Sequence, residues 1–213
     1  MPTRYEDLLD YRRRVAALYA DVRAATGDPA CPPDTLAEAC RRFRAGRDTL
    51  FRTHPQSALS PDRRANFTGL SYFAYDPAYR LVLPVDTGVE PLVVEADLGE
   101  DGLIRLQRFG RVHFTLAAHS LSLSLYWVMG YGGGIFLPFR DLTNNHETYG
   151  GGRYLLDTIK HADLGQQDGK LVIDFNYAYN PSCAYDERWV CPLSPAENRL
   201  GVRVEAGEKS LLN

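Results

Sequence analysis

The chain has 213 residues, of which 45% are hydrophobic and 24% are charged, with 24 Lys and Arg against 27 Asp and Glu. This composition is typical of a globular protein and excludes disordered, collagen-like and coiled-coil chains. The net charge of −3 is too small to steer a charged partner, and no apolar run approaches the length of a membrane span, about 18 residues. The opening residues, Met1–Asp7, lack the apolar stretch of a signal peptide. We therefore expect a cytoplasmic protein that binds neither membranes nor nucleic acid.

The first part of the chain carries the period of two helices. Over residues 4–25, apolar side chains recur every three or four positions, which predicts one apolar helix face. Glycine and proline over residues 27–33 predict a linker. Thr35 and Glu38 then have the spacing of a capping box and predict the start of a second helix. We expect residues 1–60 to form an N-terminal helical segment.

After this segment the hydrophobic period changes to two, which is typical of β-strands. Nine runs fit the pattern, at residues 70–75, 80–85, 91–97, 103–116, 120–129, 134–141, 152–159, 170–179 and 200–205. Hairpin turns are predicted at residues 99–102 and 166–169, and Gly110 inside the longest run predicts a bulge. No helical stretch separates the runs. We therefore expect residues 61–213 to be a mainly β domain, an antiparallel meander that closes into a β-barrel or a sandwich.

The short motifs do not match known cofactor or metal sites. The glycine-rich segment 130–134 lacks the Gly-Lys-Ser/Thr of a phosphate loop and predicts a turn. His146 and Glu147 lack the second histidine of a zinc-protease motif, and the four cysteines contain no Cys-x-x-Cys pair. We therefore expect no metal and no cofactor. Free buried thiols are the favoured interpretation of the cysteines, and a bridge between Cys183 and Cys191, which lie in one loop, stays open.

Polar side chains are dense in the C-terminal third of the chain. In a continuous strand, Asp174, Asn176 and Asn180 lie on one face. A buried polar face needs partners, since each unpaired group costs about 1–3 kcal/mol. Arg153 is a suitable partner for a carboxylate, because a guanidinium binds two oxygens at once. The pattern fits either a polar network that holds turns or a pocket for a ligand.

Four segments carry a resemblance to a known family. They are GLSYFAYDPAYR at residues 69–80, FLPFRDLTNNHETYGGGRYL at 136–155, IDFNYAYNPSCAY at 173–185 and CPLSPAENRLGVRVEAGEK at 191–209. Over residues 40–210 the chain resembles the bacterial and archaeal family called domain of unknown function 1684. The resemblance implies no activity, but it implies that the C-terminal third holds the family's signature. On this chain the signature falls on Asp141, Thr143, Glu147, Thr148, Tyr149, Arg153, Asp174, Asn176, Asn180, Cys183, Cys191, Asn198, Glu205, Gly207, Glu208 and Lys209.

The sequence supports three hypotheses for function. The first is a pocket that binds a small polar or anionic molecule. Its expected lining residues are Asp141, Thr143, Tyr149, Arg153, Asn176, Tyr179, Asn180, Cys183, Tyr185 and Lys209. The alternative is a hydrolase- or lyase-like enzyme that uses Glu147 or Asp174 as its catalytic base, with or without a divalent metal. The third is a structural or interaction module in which these residues serve only the fold.

Overall fold

The computed structural model describes residues 4–211, apart from the Asp101 side chain, so the extreme ends of the two predicted domains lie outside it. Three helices precede the sheets: α1 (Tyr5–Thr26), α2 (Pro33–Thr53) and α3 (Pro61–Ala65). The bounds of α1 confirm the first predicted helix, whereas the hydrophobic pattern does not indicate the short α3. None of the helices within residues 4–211 is long and apolar enough to cross a bilayer.

The start of α2 differs from the prediction. The helix begins at Pro33, and the residue before it, Pro32, provides no side-chain cap. Proline suits the first turn of a helix, because its φ is already helical and the N–H that it lacks would have no partner there. Thr35 and Glu38 therefore lie inside the helix and form no capping box, and Glu38 instead pairs with Arg41 on the helix surface.

Eight strands in the described residues form two antiparallel sheets. They are β1 (Arg80–Leu83), β2 (Leu92–Asp97), β3 (Leu103–Leu116), β4 (His119–Val128), β5 (Gly134–Phe139), β6 (Arg153–Asp157), β7 (Gln166–Gln167) and β8 (Lys170–Asp174). Five of them make a meander in the order β2-β3-β4-β5-β6, and the other three make a sheet in the order β1-β8-β7. The mainly β, antiparallel class is thus confirmed. Neither sheet closes on itself within residues 4–211, so the closure into a barrel or a sandwich stays a prediction.

The predicted turns and bulge occur where the sequence places them. A short 3₁₀ helix, Gly99–Asp101, links β2 to β3, and Asp168 and Gly169, both with positive φ, link β7 to β8. Gly110 lies where the register between β3 and β4 shifts. A Cβ at this position would lie 2.6 Å from a methyl carbon of Val85, so the close approach of the two segments requires glycine.

Two runs that the alternation predicts as strands, residues 70–75 and 200–205, form no strand although both are fully described. The first makes only an isolated β-bridge. In the second, Val202 and Val204 are buried, as the alternation indicates, but the Val204 N–H donates to the Asp141 carboxylate at 2.6 Å instead of to a neighbouring strand. The alternation of apolar residues in this segment therefore predicts correctly which side chains are buried, but it does not predict that the segment forms a strand.

The main hydrophobic core contains residues of both sheets. Val112 of β3 and Leu123 of β4 pack in one cluster with Ile173 of β8, so the five-stranded and three-stranded sheets share this interior. A second cluster holds the helices against β8, and Tyr19 of α1 meets Phe43 of α2 edge to face at 4.9 Å between ring centroids. The helices therefore cover the three-stranded sheet, next to the end of β8 where the predicted polar site begins.

Candidate functional site

The strand that carries Asp174 ends at that residue. A 3₁₀ helix, Phe175–Tyr177, follows it directly. Asp174, Asn176 and Asn180 therefore do not share one strand face, and this prediction is wrong. The Asp174 carboxylate closes the turn, because it accepts from the backbone N–H of Asn176 at 2.9 Å and from its side chain at 2.8 Å. Asn176 also exchanges hydrogen bonds with the backbone of Asp76, at 2.8 and 3.0 Å, so both predicted residues hold a turn.

Asp174 has an unusual electrostatic environment for a carboxylate. Burial raises the pKa of Asp174 to about 6, although the hydrogen bonds from Asn176 and the charges of Arg80 and Arg44 oppose the shift. Arg44 of α2 lies close by, since its guanidinium donates to the Asn176 carbonyl at 3.2 Å. The raised pKa follows from packing under α2 and needs no catalytic role to explain it.

Asp174→Asn is expected to flatten the pH dependence of stability. Because the pKa of Asp174 in the fold lies above its ordinary value of 3.8, the native state holds a proton that the unfolded chain releases. The protonated carboxyl therefore contributes to the free energy of unfolding. This contribution, about 3 kcal/mol, is fully present below pH 4 and is lost as the pH rises through 6. The asparagine amide keeps an oxygen that accepts both hydrogen bonds from Asn176. Urea unfolding measured between pH 4 and 7 should therefore show that the variant is more stable than the wild type at neutral pH.

The exposed turn residue Asp168 offers a matched control for this prediction. Asp168→Asn makes the same chemical change at a position with positive φ, which asparagine tolerates. The control should retain the wild-type pH profile. If the profile of the Asp174→Asn variant also runs parallel to that of the wild type, the carboxylate does not titrate as its burial requires.

Arg153, at the start of β6, is fully buried and binds the C-terminal segment. Its guanidinium donates to the carbonyls of Val204 at 3.0 Å, of Glu208 at 3.4 Å and of Ala206. The same group pairs with Asp141 at 3.3 Å. Burial lowers the pKa of Arg153, and the Asp141 carboxylate acts against this shift. Arg153 therefore ties the C-terminal segment to the sheet at three backbone carbonyls.

Asp141, two residues after the end of β5, completes this network. The Thr143 hydroxyl donates to the Asp141 carboxylate at 2.9 Å and lies 2.8 Å from the Thr148 hydroxyl. The structure thus brings together three residues predicted to bind a ligand, Asp141, Thr143 and Arg153. All three are buried and bind one another or backbone groups, as expected of a polar network that holds the fold.

A second buried ion pair links α2 to the C-terminal segment. Arg47 Nη2 lies 2.9 Å from Glu208 Oε2, and the Asn180 side chain donates to Glu208 Oε1 at 3.4 Å and to the Lys209 carbonyl at 2.8 Å. Burial raises the pKa of Glu208, against the attraction of Arg47. The Arg47 guanidinium also lies 5.3 Å from the Tyr179 ring centroid. Sequence reasoning missed Arg47, although an arginine on the apolar face of α2 indicates a buried acidic partner.

Two further predicted ligand-binding residues make aromatic contacts. Tyr185 is buried and meets the Phe51 ring of α2 edge to face, with 4.9 Å between ring centroids. The Lys209 Nζ lies 4.4 Å from the centroid of the Phe73 ring. These contacts join the C-terminal signature to the segments that precede the sheets.

The remaining predicted residues lie nearer the surface. Glu147 pairs with Arg203 at 2.5 Å, and the Tyr149 hydroxyl donates to the Cys183 sulfur at 3.6 Å. Glu147 and Asp174 therefore belong to separate networks and form no carboxylate pair. Within residues 4–211, no group of three or more His, Cys, Asp or Glu is arranged to hold a metal ion. The enzyme hypothesis stays a prediction without support from this geometry.

A cavity of about 330 Å³ opens beside the loop that follows β5. Arg140 and Arg199 line it together with Asn145, His146 and Gly150. Arg140 donates through Nε to the Gly150 carbonyl at 3.1 Å, and Asn145 has a left-handed backbone with φ of 65°. Sequence reasoning missed both arginines, because their neighbourhood depends on a parallel bridge between distant segments.

Comparison with known proteins places the chain in a family. A family model described as "Protein of unknown function (DUF1684)" matches residues 65–209. The chain belongs to this family. The match to the DUF1684 model confirms the resemblance seen in the sequence. An uncharacterised protein of Haloarcula marismortui, solved in solution by NMR, is similar to the chain, with 35% identity and a TM-score of 0.58. The match covers 79% of this chain and 91% of that chain. No curated protein matches the sequence.

The DUF1684 match covers all eight strands and the C-terminal segment but not α1 and α2. Glu208 lies inside the matched residues, whereas its partner Arg47 lies outside them. The buried Glu208 carboxylate of the DUF1684 region is therefore paired with an arginine of α2, a helix that precedes that region. The matched residues also include the whole cavity lined by Arg140 and Arg199.

Proposed function

We propose that the protein binds a small anion in the cavity beside the loop after β5. One observation carries this proposal: Arg140 and Arg199 line the same cavity, and no carboxylate within residues 4–211 pairs with either of them, although the Gly150 carbonyl accepts from Arg140. Guanidinium groups bind carboxylates and phosphates through two parallel hydrogen bonds. A pair of them without a counter-charge favours an anionic occupant.

The only acidic residue described in the cavity wall is Asp141, and its charge is already used. The Asp141 carboxylate pairs with Arg153 and accepts hydrogen bonds from Thr143 and from the Val204 N–H. It therefore does not neutralise the two cavity arginines. His146 adds a further polar group to the rim.

Hydrogen bonds within the loop that forms the cavity hold its conformation. The Asn144 side chain donates to the Thr148 hydroxyl at 3.0 Å and to the Tyr149 carbonyl at 2.8 Å. Arg140 is itself positioned by the Gly150 carbonyl, which accepts from its Nε. Because Arg140 is already held in place, it loses less side-chain freedom when it binds an anion. The buried signature network thus supports the cavity without lining most of it.

The size of the cavity limits the ligand. A volume of about 330 Å³ lies at the small end of ligand sites in proteins. This volume suits inorganic phosphate, a small dicarboxylate or a phosphate monoester and is too small for a dinucleotide. The proposal therefore retains the anionic pocket predicted from the sequence but moves it from Arg153 and Asp174 to the Arg140 and Arg199 side chains.

Arg199→Gln is expected to weaken anion binding about 10- to 100-fold, as for the loss of hydrogen bonds to a charged group. Arg199 is exposed, so the fold should be unchanged. Isothermal titration calorimetry with phosphate, sulfate and citrate measures the effect on the full chain. Arg105 of β3 forms an exposed pair with Glu95 and does not line the cavity, so Arg105→Gln removes the same charge and should leave the affinity within about twofold.

Two results would contradict the proposal. One is the absence of binding for all three anions at millimolar concentration. The other is equal affinity of the Arg199→Gln and Arg105→Gln variants, which would mean that any binding follows net charge and not the cavity.

A further inference from the structure

Cys183 and Cys191 lie against each other in a site outside the anion cavity. Cys183 belongs to a 3₁₀ helix, Ser182–Ala184, and its backbone N–H donates to the Cys191 sulfur at 3.4 Å. The Tyr149 hydroxyl donates to the Cys183 sulfur at 3.6 Å. Both thiols are free and partly exposed. Two thiols and a phenol therefore converge at a position that solvent reaches.

The Cys191 sulfur lies close to the backbone of Cys183. The N–Cα bond is about 1.5 Å long, so the contact of 3.4 Å puts the Cys191 sulfur within about 5 Å of the Cys183 Cα. Such separations are compatible with disulfide geometry after side-chain rotation. The Tyr154 hydroxyl donates to the Pro192 carbonyl at 2.6 Å and so anchors the chain next to Cys191.

The surroundings make the two thiols different. The hydrogen bond with Cys191 lowers the pKa of Cys183 to about 6, against the opposing effect of burial, and Tyr149 also favours the thiolate. The same hydrogen bond raises the pKa of Cys191. Burial raises the pKa of Tyr149 to about 12, so the phenol remains a donor at neutral pH. Since the thiolate is the reactive form, Cys183 is the attacking group and Cys191 the resolving one.

We propose that Cys183 and Cys191 form a redox-active dithiol that exchanges with small-molecule disulfides. The Cys183 thiolate attacks one sulfur of the disulfide, its S–S bond breaks, and a thiolate leaves with the electron pair. Cys191 gives up its proton and attacks the Cys183 sulfur, which releases the second thiol. The protein loses two electrons, the small disulfide is reduced to two thiols, and the protons of the two protein thiols end on those products.

The chain contains an internal control for thiol reactivity. Cys31, in the linker between α1 and α2, is also partly exposed. Its sulfur donates to the backbone carbonyls of Ala25 at 3.5 Å and of Pro32 at 3.9 Å. Within residues 4–211, neither a second thiol nor a phenol is hydrogen-bonded to it. Cys40 is buried and serves as the unreactive reference.

The test incubates the reduced full-length protein with oxidised glutathione, alkylates the remaining thiols and maps the peptides by mass spectrometry. The wild type should lose the mass of two hydrogen atoms and yield a linked peptide that contains Cys183 and Cys191. Cys191→Ser should accumulate one glutathione on Cys183, because the resolving thiol is missing. Cys183→Ser should gain glutathione at Cys191 at least tenfold more slowly, since the remaining thiol has no activating partner.

The Tyr149→Phe variant tests whether the Cys183 thiol is activated by its surroundings or is merely close to Cys191. This variant removes only a hydroxyl, so the circular dichroism spectrum should stay unchanged while Cys183 reacts with iodoacetamide several-fold more slowly at pH 7. The proposal is overturned if the folded wild type forms no bridge between Cys183 and Cys191. It is equally overturned if Cys31 reacts as fast as Cys183 in the Cys191→Ser variant.

Discussion

Arg153→Ala is expected to lower the free energy of unfolding by about 3–5 kcal/mol, the range found when one partner of a buried ion pair is removed. The variant leaves the Asp141 carboxylate buried without its cation. It also leaves the carbonyls of Val204, Ala206 and Glu208 without this donor. Urea denaturation followed by tryptophan fluorescence measures the loss.

Arg203→Ala is the matched control for this experiment. Arg203 pairs with Glu147 and Glu205 at the surface, where ion pairs contribute about 0–1 kcal/mol. The control should therefore stay within about 1 kcal/mol of the wild type. A similarly small effect of Arg153→Ala would contradict a structural role for the buried network. Unchanged stability combined with lost anion binding would return Arg153 to the ligand-binding role predicted from the sequence.

Local patterns in the sequence predict the local parts of the fold. The alternation over residues 103–128 encodes β3 and β4, because each strand buries one face against the same core. Gly110 predicts the bulge, since only glycine permits the approach of Val85. The turn between these strands is different: Ala117 and Ala118 both have positive φ, which alanine rarely adopts, so no residue type in the sequence announces it.

Longer-range structure escapes sequence reasoning, because it depends on which segments meet. Val202 and Val204 alternate as in a strand, yet the backbone of this segment binds a side chain of the loop after β5. β8 is also shorter than its apolar pattern suggests. Asp174 ends it early, because a carboxylate that caps the following N–H favours a turn over a continued strand.

The candidate site was predictable in composition but not in arrangement. The sequence identifies Arg153 as the partner of a carboxylate but leaves open which carboxylate it is. In the structure the partner is Asp141. The carbonyls that bind the same guanidinium have no signature in residue type, since every residue carries one. Arg140 and Arg199 are brought together by parallel pairing of two segments that lie 59 residues apart in the sequence, so no spacing rule finds their cavity.

Glu208→Gln is expected to destabilise the protein by about 3–5 kcal/mol, because Arg47 then remains charged and buried without a counter-charge. Arg47→Met should have a similar effect for the opposite reason, and it should raise the pKa of Glu208 further by removing the attraction that opposes burial. Stability of that variant should then fall as the pH rises through the elevated pKa, since the buried carboxyl loses its proton.

The double variant Arg47→Met/Glu208→Gln decides whether the pair acts as a unit. With neither charge buried, its loss of stability should be at least about 2 kcal/mol smaller than the sum of the two single losses. The exposed pair Arg105 and Glu95 supplies the comparison cycle, where coupling should stay below about 1 kcal/mol. Additive losses in the buried cycle would contradict the pairing. Strong coupling would mean that Arg47 and Glu208 act together to hold the C-terminal segment against α2.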